Sequence, residues 1–170
     1  MGPPARRLCR AAAADVIRSL TVGERALAAE AFGDALTLAT IRFLPAPWPF
    51  DRAFVPGRWF GRDWIVWPRP GLPDDLATAP LRLQAMLIHE LTHVWQAQQG
   101  VNLLTGKIRA GDRPSSYEYP VGMDCDWAGL NIEQQAMVVE HRFRLTRGLP
   151  TPGDATFYDR VCPIGPRLGI

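Results

Sequence analysis

Between residues 79 and 99, Leu83, Met86, Leu87, Leu91, Val94 and Trp95 recur at helical spacing, and this pattern predicts an amphipathic helix. Thr78 would cap it, Pro80 suits its first turn, and Gly100 supplies a left-handed stop. A second helix is expected over about 130–147, where Ile132, Ala136, Val139 and Phe143 form an apolar stripe ended by Gly148 and Pro150. Thr21-Val22-Gly23-Glu24 has capping-box form, so a third helix should run from there to near Gly33 and pack beneath the first. Residues 37–44 read as a strand stopped by Pro45, Pro47 and Pro49, and 52–55 and 64–67 are two further short strands. Residues 68–80 form a loop. Residues 101–126 show weak periodicity and carry Gly106, Gly111, Pro114 and Pro120, so a long functional loop is expected between two helices. Residues 1–20 are expected to be a tail with a short alanine-rich helix, and 151–170, with Pro152, Pro163 and Pro166, an irregular tail. The pattern adds up to one domain over 21–150. Its class is α+β, mostly helical, with a small N-terminal sheet on the 79–99 helix.

Composition narrows this only a little. A chain of 170 residues with 47% hydrophobic and 21% charged residues is long enough to bury a core of ordinary globular kind. The net charge of +2 comes from scattered arginines, with Lys107 the sole lysine, so no nucleic-acid footprint is indicated. No apolar run reaches about 18 residues, which argues against a membrane span. The 3 cysteines, Cys9, Cys125 and Cys162, are odd in number and widely spaced, which fits a reducing compartment better than a disulfide framework. Asp15 and Arg18 interrupt any apolar signal core, so synthesis in the cytoplasm is expected.

The chemistry sits on the first helix, in Leu87-Ile88-His89-Glu90-Leu91-Thr92-His93-Val94-Trp95-Gln96. His89 and His93 are one turn apart on one face, with Glu90 between them. This is the H-E-x-x-H spacing in which two imidazoles bind Zn²⁺ and the glutamate is general base. A catalytic zinc needs a third protein ligand and an open position for water. Glu133 and Glu140 are the carboxylate candidates, seven residues and about 10 Å apart along their helix, so both cannot bind one ion. Glu133 is favoured because Ala136 or Met137, one turn on, lets the two helices approach closely; Glu140 and His141 remain as replacements. With zinc in place the pKa of its water falls to about 7, Glu90 takes the proton and delivers it to the leaving amine, and a phenol steadies the oxyanion. Tyr119 is preferred over Tyr117 for that last role. Asp124 and Asp126 are either orienters of a zinc-bound imidazole or plain turn residues, and Cys125 is either an inhibitory ligand or an inert thiol. The aromatics Phe54, Trp59, Phe60, Trp64 and Trp67 are read as core packing before a carbohydrate or peptide platform, with some of them lining a cleft.

The order of these features resembles a known group over about residues 20–147. H-E-x-x-H followed some 40 residues later by a helical glutamate, with Ala136 three positions on, is similar to the gluzincin arrangement of zinc peptidases. Thr21–Glu24 leading to Phe32-Gly33-Asp34-Ala35, then His89–Gln96, then Ile132–Ala136, resembles small bacterial Vgr-related proteins and the zincin-like core domain found with contractile injection systems. The further glycine and third histidine of metzincins do not follow His93. The resemblance implies a zincin-like fold over 21–150 and a His89, His93, Glu133 zinc site. Two functions follow as expectations. One is a zinc metallopeptidase acting on a peptide or protein substrate. The other is a catalytically silent zinc-binding scaffold or effector-associated module that meets secretion or injection apparatus proteins and is exported by such an apparatus. A repressor-directed regulator ranks last, since no basic recognition helix is present.

Overall fold

The computed structural model describes residues 16–111 and 113–169. The expected alanine-rich helix lies outside those residues. The described chain is α+β, with five α-helices around a three-stranded sheet.

Helix α1, Val22–Phe32, opens on the expected capping box: Thr21 Oγ1 accepts from the Glu24 amide at 3.0 Å, and the Thr21 amide donates to Glu24 Oε2 at 2.8 Å. Glu24 is fully buried yet well partnered, holding Arg18 through two 2.7 Å bonds and the Leu76 amide at 3.0 Å. One carboxylate thus joins the start of α1 to the segment before it and to the turn that leads into the central helix.

The sheet runs β1–β3–β2, with β1 (Ile41–Ala46) parallel and β2 (Phe54–Trp59) antiparallel to the middle strand β3 (Arg62–Pro68). The first strand starts and ends later than expected. Residues 38–40 form a 3₁₀ turn instead, and β1 runs on through Pro45 because an edge strand loses no ladder bond to a proline. Ile41, Phe43, Ile65 and Trp67 supply the buried face. Of the five aromatics only Trp67 is core; Phe60 is 98% exposed and Trp59 points largely to water.

Helix α2, Leu81–Gln98, packs against α4, the sheet and α1. Thr78 is not its cap: it lies in a 3₁₀ turn whose own cap is Asp75, and the α2 cap position is Pro80. Gly100, at φ +84°, turns the chain away from the helix end as expected. The segment expected to be loop contains a further helix, α3 (Leu103–Ala110), capped by Asn102. Helix α4, Ile132–Thr146, has a second capping box, with Asn131 Oδ1 accepting from the Glu133 and Gln134 amides and Gln134 answering to the Asn131 amide. The C-terminal stretch is not irregular throughout. It carries α5, Ala155–Val161, with Phe157, Tyr158 and Val161 buried.

Candidate metal centre

His89 and His93 lie one turn apart on α2, and Glu133 sits in the first turn of α4, where the Asn131 cap holds its amide. The two helices bring the three together. Glu133 Oε2 is 3.3 Å from His89 Nε2 and 3.2 Å from His93 Nε2, and the three ligand atoms lie within 4.8 Å of one another. Four-coordinate zinc with bonds of about 2.0–2.1 Å sets its ligand atoms about 3.3 Å apart, so the donor set and its spacing suit that ion. A second observation points the same way. Glu90 is buried, and its Oε2 has no hydrogen-bond partner among the described residues. An orphaned carboxylate oxygen beside the imidazoles is costly unless a ligand or water uses it.

The far nitrogen of each imidazole is also held. Gln96 Nε2 donates to the Ile132 carbonyl at 3.0 Å and to Gln135 Oε1 at 2.9 Å, which turns Gln96 Oε1 toward His93 Nδ1, 2.8 Å away. His93 Nδ1 is therefore the donor, and its Nε2 lone pair faces Glu133. Glu140 Oε2 lies 3.2 Å from His89 Nδ1. The two candidate carboxylates of α4 thus flank one imidazole from opposite sides: Glu133 stands in the ligand position and Glu140 orients. Burial pulls the His89 pKa down, but the hydrogen bonds to Glu133 and Glu140 outweigh it and raise the value to about 9. Burial pushes Glu133 and Glu140 up, and the imidazole bonds reverse this, leaving both below the ordinary carboxylate range. Lys107 of α3 adds a positive charge 3.8 Å from Glu133 Oε1.

The centre opens into a cleft of about 750 Å³, with His89, Glu90 and Glu140 on one side and Trp67, Met86 and Met137 among its apolar walls. No known protein-family profile matches the chain. The type VI secretion system spike protein VgrG2b of Pseudomonas aeruginosa is 32% identical over 142 residues, covering 76% of this chain and 13% of that protein. The chain therefore spans about an eighth of its curated relative. The solved effector domain of Pseudomonas aeruginosa VgrG2b superposes with a TM-score of 0.64 at 30% identity, covering 79% of this chain and 77% of the other. The chain belongs to the VgrG2b effector-domain family. The resemblance to Vgr-related proteins read from the motifs is thus a homology.

Not every residue singled out in this VgrG2b-family chain reaches the centre. Tyr119 is directed elsewhere: its Oη lies 2.6 Å from His141 Nδ1 and 3.0 Å from Tyr158 Oη, and its ring stacks on Phe157. Tyr117 is the phenol in the cleft wall, its ring centroid 6.5 Å from that of His89. His141 is half-buried and outside the ligand cluster, being held by Tyr119. Asp124 and Asp126 are exposed and orient no imidazole; Gln96 and Glu140 do that. Cys125 is buried outside the ligand cluster, and burial raises its thiol pKa. Gln96 is the residue that sequence reasoning missed. Its signal was present: it lies three positions after His93, on the same helical face.

Proposed function

We propose that this chain is an effector domain of a bacterial type VI secretion apparatus and acts as a zinc-dependent, zincin-like peptidase. The homology to the VgrG2b effector domain supports the first half. One observation carries the second: the convergence of His89 Nε2, His93 Nε2 and a Glu133 oxygen beside the unpartnered Glu90 carboxylate. Imidazole and carboxylate donors in this number favour zinc. Held there, the cation supplies Lewis acidity, bringing the ionisation of a water near neutral pH and polarising a carbonyl.

The chain's own residues do the rest. His89, His93 and Glu133 hold the ion, while Glu140 and Gln96 fix the two rings. Glu90 orients the attacking water and takes its proton as the oxygen adds to the carbonyl carbon; that proton then goes to the amine nitrogen as the C–N bond breaks. Tyr117 is the phenol on the cleft side that would donate to the developing oxyanion. The homology to a type VI secretion effector domain supports delivery by such an apparatus as the route out of the cell; no helix among the described residues is long and apolar enough to cross a membrane.

Casein and quenched peptides, incubated with zinc-loaded protein and with Glu90→Gln, test the activity. Turnover should fall by at least about 10²-fold in the variant. Equal rates would remove the peptidase reading and leave a silent effector module. Metal analysis of wild type against His93→Ala tests the centre itself, with one zinc per chain expected only in the former.

A further inference from the structure

Among the described residues, the exposed aromatic side chains fall into two groups. Trp59 and Phe60 lie at the β2–β3 turn and do not line the cleft. Trp48 and Phe50, on the connection between β1 and β2, are 89% and 48% exposed and line the same cleft as His89 and Glu90. Phe50 is braced by Phe54, with ring centroids 5.8 Å apart, so the connection carries a small aromatic wall. The same cleft is lined by Leu83 and Met86 of α2 and Met137 of α4, each half-buried. Unbranched thioethers adapt their shape to whatever apolar group enters. Outside the surroundings of His89, the polar lining residues are Asp51, Arg52 and Arg82, all exposed. Arg82 precedes His89 by seven residues, about 10 Å along the helix axis, so it stands away from the metal ligands, where the lining mixes Glu90, Glu140 and Tyr117 with the apolar Met86 and Met137.

We infer that the cleft binds an extended peptide by a large apolar or aromatic side chain seated between the Trp48–Phe50 wall and the methionines, making Trp48 and Phe50 specificity-determining residues. The inference rests on the peptidase reading of the same centre. Covering two such aromatics with another apolar group supplies a binding term from their area alone, Phe50 needing no hydrogen-bond partner and the Trp48 indole N–H being able to donate to a peptide carbonyl. Asp51 and Arg52 next to Phe50 are the groups that could hold a sugar's hydroxyls, but both are exposed, while Leu83, Met86 and Met137 add sulfur and hydrocarbon to the lining. A peptide therefore fits this cleft better than a glycan.

The test uses zinc-loaded Glu90→Gln protein, which binds without turnover, panned against an immobilised random peptide library with N-acetylglucosamine oligomers as competitor. Retained peptides should be enriched at least fivefold in Phe, Trp, Leu or Met at one position. Adding Trp48→Ala or Phe50→Ala should erase most of that enrichment while zinc content stays unchanged. Both side chains are substantially exposed, so neither substitution threatens folding. Absence of enrichment, enrichment that survives both substitutions, or displacement of the peptides by the glycan would each overturn the inference. Digestion of a denatured protein mixture by the wild type separates this idea from the proposed function. Apolar enrichment in binding with no cleavage supports the cleft's specificity and defeats the peptidase; cleavage with no apolar preference defeats the specificity alone.

Discussion

His89 sits between two carboxylates, and its protonation couples the metal site to pH. In the metal-free protein burial disfavours its charge, but the bonds to Glu133 and Glu140 prevail and its pKa rises from 6.5 to about 9. Near neutral pH the imidazole is therefore protonated, whereas a cation requires the nitrogen lone pair. Loading must expel one proton, so apparent zinc affinity should rise about tenfold per pH unit up to about 9 and then level off. Chelator-competition titrations across that range measure this, and a flat profile between neutral pH and 9 would contradict it. The stability of the metal-free fold moves the other way. A folded pKa above the unfolded one gives stability that is complete below about 6.5 and lost as pH climbs through about 9. At the same residue scale, Glu140→Gln keeps an acceptor near His89 Nδ1 but removes its charge. Zinc affinity should drop about 10–100-fold, with His93→Ala as the reference for complete loss.

At the scale of elements, α4 and α5 together grip the loop that carries Tyr117. Tyr119 is the handle, bonded to His141 of α4 and Tyr158 of α5 and stacked on Phe157. Tyr119→Phe keeps the stack and deletes both bonds, so unfolding stability should fall by about 1 kcal/mol, read from the urea midpoint. Zinc affinity should not change; a tenfold loss would show that Tyr119 serves the centre after all. Some of this architecture was legible in the residue pattern and some was not, for reasons that particular positions make plain. The α2 stripe and its two histidines are local, and so is the capping box at Thr21. Helix α3 was hidden by Gly106, a poor helix former, and by a single buried residue, Leu103. Gly106 also lies close against α4: a Cβ there would come within 2.8 Å of Ile132 Cδ1, so the end of that side chain would have to shift. Glu140 illustrates the other limit. Its type marked it as a rival ligand, and only the packing of α4 on α2 shows it behind His89.

For the whole molecule, the stretch after Pro150 closes the fold. Phe157, Tyr158, Val161 and Ile164 are buried, and Gly165, at φ +80°, passes so near Ala31 that a Cβ would collide with that residue's carbonyl oxygen. Buried Arg142 of α4 donates to the Ile164 carbonyl and lies 3.6 Å from Asp159, while Arg160 donates to the carbonyls of Gly122, Met123 and Cys125. The last twenty residues thus link α1, α4 and the loop ahead of α4. Gly165→Ala should cost at least about 2 kcal/mol through overpacking and left-handed strain, visible as a lowered urea midpoint. Ending the chain at residue 150 is the stronger perturbation. Four large side chains worth about 1.5–3 kcal/mol each would be lost, a sum comparable with the 5–15 kcal/mol of a typical domain. That shortened chain still contains His89, His93 and Glu133. If their convergence depends on closure of the fold, it should lose most near-ultraviolet circular dichroism and bind zinc at least 10²-fold more weakly. If it instead holds zinc with full affinity, α2 and α4 alone build the centre, and the C-terminal closure serves only the cleft.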